Sequence, residues 1–288
     1  MIMENKDFAV FILTHGCANK VVTYNTLLKC GYNGDIIILI DNEDKQAKEY
    51  KNKFGDQVHI FDKAAIAKKF DVGDNFNDKA AVVFARNACF DIAKKLGYKY
   101  FMQLDDDYTT FAYKFDESLT YHQYEIRNLD RIFDIMLKFY KNNPNVFDFA
   151  MAQNGDFIGG ADSTKIRKNI TLWRKCMNTH ILSTERRFDF VGKINEDVNT
   201  PIILGAIGKL FLTIPLLTIC QIQTQANTGG LTDIYLERGT YIKSFYSIMY
   251  NPSCVKIYLM GEAHKRLHHK VKWNNAVPKI LNEKYKTV

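Results

Sequence analysis

Along the first third of the chain, short and nearly continuous apolar runs alternate with longer amphipathic stretches. Phe8–Thr14 (FAVFILT) and Asp35–Ile40 (DIIILI) have too few polar positions for strands exposed on one face, and are too short for buried helices. They are predicted as strands covered on both faces. Between them, Ala18–Lys29 spaces its apolar residues at helical intervals, and the polar stretch 41–54 (DNEDKQAKEYKNKF) reads as a second helix. Val58–Phe61 follows as a short third strand and Lys79–Leu96 as a further helix. Tyr100–Leu104 is a fourth strand that runs straight into three aspartates. Alternation of this kind predicts an α/β fold with a mixed, mostly parallel sheet flanked by helices. Ligands of such sheets lie outside the carboxyl ends of the strands. Thr14–Gly16, Asp41–Asp44 and Asp105–Asp107 are therefore the segments expected to face one.

Beyond about residue 110 the pattern changes. Glu125–Tyr140 is helical in spacing, while Phe147–Gln153 and Leu172–Thr184 read as strands. Ile202–Cys220 is apolar enough to suggest a membrane span, but Lys209 and Pro215 interrupt it. The simpler reading is a core helix followed by a buried strand, with no membrane partner. Gly159–Gly160 and Gly229–Gly230 mark turns, and Gly261–Leu281 is a basic tail. Neither a repeat nor a Pro/Gly/Ser linker divides the chain, which predicts one domain over 1–288, of two unequal halves at 1–110 and 111–288.

Composition narrows the class without naming a function. At 288 residues, 47% hydrophobic and 25% charged, the chain can bury a full core and is not a disordered tail. A net charge of +7 favours anionic partners, either nucleic acid or nucleotide diphosphates. The six cysteines form no CxxC pair and no short zinc spacing, so they are expected as free thiols. Together with an amino terminus that carries no signal-peptide pattern, this places the chain in a reducing cytoplasm.

Four groups of residues carry candidate chemistry. In Gln103-Leu104-Asp105-Asp106-Asp107-Tyr108, three carboxylates leave a buried strand together. Their repulsion is a poor structural choice, and a hard divalent cation relieves it while bridging to substrate phosphates. Mg²⁺ or Mn²⁺ suits an all-oxygen ligand set, whereas a solvated acidic turn is the plain alternative. Glu196-Asp197 opens a predicted helix, where acids are favoured by the helix dipole alone. A carboxylate there also suits a general base that takes a proton from an attacking hydroxyl, with Asp197 ahead of Glu196. Arg86-Asn87 interrupts an apolar helix, so its polar groups require partners, either a bound anion or a structural salt bridge. In the tail, a helix would place His264 and His268 on one face. With His269, they are candidates to complete the cation site or touch a diphosphate, while Lys265, Arg266, Lys270 and Lys272 offset charge or simply form a basic surface. Gly229 and Gly230 could let backbone amides approach a phosphate or sugar, although a plain turn explains them equally.

THG after the first strand, DNED after the second, the ARN helix, LDDD and the later ED together resemble GT-A glycosyltransferases. With the tail segments GTYIKSFYSIMYNPSCVKI and RLHHKVKWNNAVPKIL, the resemblance narrows to the TET/JBP-associated glycosyltransferases of bacteriophages, related to the enzyme that makes base J. That resemblance implies a nucleotide-sugar donor, UDP-linked, bound by the first half, and a hydroxymethylated pyrimidine such as hydroxymethylcytosine in DNA as the acceptor of the second. It implies that Thr14, His15, Gly16 and Asp41 line the nucleotide pocket, that Asp105–Asp107 hold Mn²⁺ or Mg²⁺, and that Asp197 is the base of an inverting transfer. The alternatives are a GT-A enzyme with a glycan, lipid or protein acceptor, a nucleotidyltransferase, and a non-catalytic nucleic-acid-binding module.

Overall fold

The structure is a computed structural model that describes residues 7–74, 81–118, 121–153, 175–222, 239, 241–261 and 265–278. β1 (Phe8–Leu13) shows why the first apolar runs are continuous. Phe8, Val10 and Ile12 enter one buried cluster, while Ala9, Phe11 and Leu13 enter another. A strand alternates its side chains between faces, so a strand covered on both sides has no polar register to keep.

The chain continues through α1 (Val22–Lys29), β2 (Asp35–Asp41), α2 (Ala47–Phe54), β3 (Val58–Phe61), α3 (Lys63–Ala67), α4 (Val83–Lys95) and β4 (Tyr100–Asp105). Then come β5 (Tyr108–Phe115), β6 (Tyr121–Glu125), α5 (Leu129–Asn142), β7 (Val146–Gln153), β8 (His180–Ser183), α6 (Glu196–Ala206) and β9 (Leu210–Gln221). The described tail holds α7 (Ile242–Tyr250), β10 (Val255–Met260), β11 (Arg266–Val271) and α8 (Trp273–Ala276).

β1 to β9 form one mixed sheet in the order β3-β2-β1-β4-β8-β7-β9-β5-β6. The parallel pairs are β3–β2, β2–β1, β1–β4 and β7–β9. Leu27 of α1 and Phe133, Met136 and Leu137 of α5 cover one face, and Val83, Phe84, Ala88 and Phe90 of α4 cover the other. This is the helix-flanked α/β architecture predicted above, and the sheet takes strands from both halves of the chain.

Several predicted boundaries move. α1 begins at Val22 and α2 at Ala47, because the residues before them form the loops at the strand ends. α5 starts at Leu129, after Glu125 has closed β6 and the Asn128 side chain has capped the Arg131 amide. Of the strand expected over 172–184, only His180–Ser183 is one; 175–179 are described without strand, and 172–174 lie outside the described residues. Ile202–Cys220 divides into the end of α6 and β9, as read from the sequence. Among the described residues, no helix is long and apolar enough to cross a membrane.

Candidate active site

Three strand ends meet at one edge of the sheet. Leu13 pairs with Leu39 of β2 on one side and with Asp105 of β4 on the other. Because β2 and β4 flank β1, this edge is a topological switch point, where the loops diverge and open a crevice. Thr14, Asp41 and Asp105 emerge there as neighbours.

The loop after β1 is tied to the loop after β2. His15 Nδ1 lies 2.6 Å from Asp41 Oδ2, and the Gly16 amide donates to Asp44 Oδ2 at 2.8 Å. Gly16 has φ +65°, a left-handed conformation that costs glycine least, which lets its N–H turn onto that carboxylate. The Cys17 amide donates to the Tyr50 hydroxyl, and the Ala18 amide to Gln46 Oε1. Lys63 Nζ also reaches Asp41, at 3.1 Å. The hydrogen bond with Asp41 raises the His15 pKa, and burial only partly opposes it. Burial works against charge at Asp41, but the bonds from His15 and Lys63 outweigh it and hold that carboxyl below its ordinary range.

The three aspartates form a turn anchored from below. Thr23 donates through Oγ1 to the Asp105 carbonyl at 2.6 Å and through its amide to the Asp106 carbonyl at 3.1 Å, and its Oγ1 accepts from the Tyr108 amide. The three side chains then part company. Asp105 Oδ1 accepts from Arg86 Nη2 at 3.0 Å, and Asp106 Oδ2 accepts from Thr14 Oγ1 at 2.5 Å. Asp107 Oδ1 is buried with no partner. Burial, followed by repulsion from Asp105 and Asp106, pushes the Asp107 carboxyl up to about 7. Burial also dominates at Asp106, where it outweighs the Thr14 bond and raises the pKa to about 6.

Arg86 joins this turn to the second acidic pair. Its side chain is 2% exposed, and Nε donates to Glu196 Oε1 at 3.1 Å. The neighbouring Asn87 uses both ends of its amide on the Phe190 backbone, donating to the carbonyl and accepting from the N–H. α4 thus holds the segment that leads into α6. Asp197 differs from Glu196. Lys175 Nζ lies 3.1 Å from its Oδ2, and its side chain keeps 17% exposure. Burial opposes charge at Asp197, but Lys175 wins and holds its pKa below the ordinary range. Burial prevails at Glu196 and raises it despite Arg86.

The chain matches the TET-associated glycosyltransferase family over residues 8–230, from the first strand to beyond the last strand of the sheet. The chain belongs to that family. It is a glycosyltransferase, and the sheet order and switch-point site fit the GT-A class. Among the solved structures that are distantly similar are the following three. Glucosyl-3-phosphoglycerate synthase from Mycobacterium tuberculosis, solved with Mg²⁺ and uridine diphosphate, is 7% identical, covering 92% of this chain and 87% of that one at a TM-score of 0.46. S. aureus TarS 1–349 in complex with UDP-GlcNAc is 11% identical, covering 84% and 66% at 0.40. A cytidylyltransferase from Leptospira borgpetersenii is 11% identical at 0.31; the match takes in 62% of this chain and spans 61% of the cytidylyltransferase. Likenesses this distant carry no argument about the site. None of the curated proteins matches in sequence.

Within the transferase, the predicted residues separate into groups. Thr14, His15, Gly16, Asp41 and Asp105–Asp107 share the switch-point edge. Arg86, Asn87, Glu196 and Asp197 stand beside it through the Arg86 bridge. His268 and His269 lie in β11, so the helical face proposed for His264 and His268 does not form there; the RLHHKV run pairs as a strand instead. His269 lies within electrostatic reach of Asp197 and Lys175. His264, Gly229, Gly230, Gly159 and Gly160 lie outside the described residues. Thr23, Tyr50, Lys63 and Lys175 also belong to the site and lie outside the segments expected from the sequence, whereas Asp44 falls within the expected Asp41–Asp44. Tyr50 had a signal, four residues before Phe54 on the buried side of α2. Lys175 had none, since its partner is distant in the chain. Among the described residues, no three His, Cys, Asp or Glu side chains converge into a ready-made metal cage.

Proposed function

We propose that the enzyme moves a sugar from a UDP-linked donor to a hydroxymethylated pyrimidine in DNA, with inversion at the anomeric carbon. The observation that carries this reading is the unpartnered, buried Asp107 oxygen at the switch point, beside the Thr14–Gly16 loop. Its orphan status and raised pKa fit a ligand that arrives with the substrate. Mg²⁺ and Mn²⁺ sites of this kind use one or two carboxylates and complete their shell with phosphates and water, so a full protein cage is not required. Asp105 and Asp107 are the proposed ligands, with His264 a further one. When bound, the ion offsets the charge that develops on the leaving diphosphate.

The chain's own residues supply the rest. The loop Thr14–Gly16 and Asp41 are assigned to the nucleotide, and Arg86 with Asn87 sets the acidic turn and the start of α6 in register. His269, Gly229 and Gly230 are assigned to the diphosphate side. The acceptor hydroxyl oxygen bonds to the anomeric carbon as the carbon–oxygen bond to the diphosphate breaks, and UDP leaves with that electron pair. The hydroxyl proton passes to Asp197, which Lys175 keeps ionised and which is more open than Glu196. Glu196, committed to Arg86, positions this carboxylate.

The test is a donor screen with Mn²⁺ on hydroxymethylated and unmodified duplexes, each digested to nucleosides for mass spectrometry. A sugar added only to the hydroxymethylated base, with release of UDP, is the expected outcome. Pyrophosphate release, or no sugar on either DNA with any donor, would defeat the reading. Asp197→Asn should lower kcat by about 10²–10⁴-fold with little change in donor KM, the span usual for a lost general base. A large rise in donor KM at normal kcat would make Asp197 a binding residue instead.

The raised carboxyls also set a pH dependence. Groups whose folded pKa lies above the unfolded one, about 3.9 for Asp, stabilise the fold below that value and lose the effect as pH rises through the folded pKa. For Asp106 and Asp107 that loss falls between about pH 4 and about pH 7. A cation needs the ionised carboxylates and competes with their protons. Thermal melts should therefore show stabilisation by Mn²⁺ with UDP at pH 8 and much less at pH 5.5. Equal stabilisation at both pH values would contradict binding at these carboxylates.

A further inference from the structure

β10 and β11 pair only with each other, as a two-stranded antiparallel ribbon outside the nine-stranded sheet. Directly opposed residues in such a ribbon share a face. The pairs Lys256–Lys270, Tyr258–His268 and Met260–Arg266 therefore set three cations and two rings on one face. Lys256, Arg266 and Lys270 are exposed. Lys270 Nζ lies 5.6 Å from the Tyr258 ring centroid, and the Tyr258 and His268 rings are 6.0 Å apart. No acid stands among the paired residues. Two lysines placed directly opposite repel each other and weaken the ribbon. An anionic partner removes that repulsion.

The ribbon is fastened to the helix that begins with Glu196 and Asp197. Ser244 Oγ of α7 donates to the Leu267 carbonyl at 2.9 Å, and the Asn195 amide, just before α6, donates to the Lys243 carbonyl and to Ser247 Oγ. After the ribbon, α8 presses so closely on α6 that a Cβ at Gly205 would stand 2.1 Å from the Ala276 carbonyl oxygen. His269, one residue from the cationic face, reaches the field of Asp197 and Lys175. Burial, then repulsion from Arg266 and Lys175, lowers the Lys243 pKa, so cations crowd this side of the site.

We infer that the β10–β11 ribbon docks the enzyme on duplex DNA by entering the major groove, with Lys256, Arg266 and Lys270 on the phosphates. The inference rests on the DNA-acceptor reading and adds where the DNA is held. The major groove, about 12 Å wide, admits a two-stranded β-ribbon, and the 5-substituent of a pyrimidine lies in that groove. A ribbon fastened beside Asp197 brings that substituent to the base's side of the crevice.

The experiment compares the wild type with the double variant Lys256→Gln/Lys270→Gln and with Lys256→Arg/Lys270→Arg, which keeps the charge. Fluorescence anisotropy with a hydroxymethylated duplex across a salt series gives Kd and its salt slope, and hydrolysis of the UDP-sugar without acceptor reports on the donor site. The Gln variant should bind about tenfold more weakly, with a salt slope shallower by about 2, each lost phosphate contact removing about 0.9. Its donor hydrolysis should stay normal, and the Arg variant should match the wild type. Wild-type Kd and slope in the Gln variant would overturn the docking surface while leaving the DNA reading intact. A wild type that hydrolyses donor yet never modifies DNA would overturn the acceptor reading, and the ribbon's role with it. Loss of binding to phosphatidylserine vesicles with DNA binding kept would assign the ribbon to membranes and also overturn the inference.

Discussion

Asp107→Ala should abolish turnover while leaving the melting temperature unchanged or higher. Both halves follow from one observation, a buried carboxylate oxygen with no partner, flanked by Asp105 and Asp106. Removing that carboxylate relieves desolvation and the repulsion from Asp105 and Asp106, which together outweigh the one backbone hydrogen bond it accepts. A metal that neutralises a leaving diphosphate is worth several kcal/mol of transition-state stabilisation. At 1.36 kcal/mol for each factor of ten, its loss lowers kcat by about 10³ or more. The check is steady-state kinetics beside a thermal melt in metal-free buffer. Activity within a few fold of wild type, with a lowered melting temperature, would make Asp107 structural. Asp106→Ala is a useful contrast, because it also frees Thr14 Oγ1 from its bond and loosens the nucleotide-side loop.

Arg86→Ala should be the most destabilising single change at the site. The guanidinium is 2% exposed and is shared between Asp105 at 3.0 Å and Glu196 at 3.1 Å. Deleting it leaves two carboxylates facing each other without a counter-charge. Breaking a buried ion pair from one side costs about 3–5 kcal/mol, a fall in melting temperature on the order of 10 °C. Arg86→Lys separates positioning from mere charge. An ammonium is a single point and cannot present Nε and Nη2 to two acids at once. It should recover much of the stability and little of the kcat, with donor KM nearly normal. Full recovery of both would show that charge alone matters there.

Particular residues explain what could be read before the structure. β1, β2 and β4 are legible because both faces of each are covered, which compresses their composition largely to apolar residues, whereas β3 is a short edge strand with Ile60 exposed. The aspartate triplet was readable because like charges at a strand end are costly without a ligand. β5 and β6 were not, since Tyr108–Phe115 mixes threonines, a lysine and aromatics on an edge-ward strand with an irregular register. An arginine inside an apolar helix requires partners, but Glu196 stands 110 residues after Arg86, and sequence alone gives no measure of such a pairing. Lys175 beside Asp197 was hidden for the same reason. The four-residue spacing of His264 and His268 suits a helix, whereas apolar and β-branched neighbours with a matching partner strand draw RLHHKV into a ribbon.

The most direct test of a cation held between the acidic turn and a pyrophosphate is a crystal soaked with UDP and manganese, measured at the manganese absorption edge. The expected result is one anomalous peak at coordination distance from Asp107, about 2.1 Å, bridged to the UDP phosphates beside Thr14–Gly16. UDP bound elsewhere, with no ion at Asp105–Asp107, would contradict it.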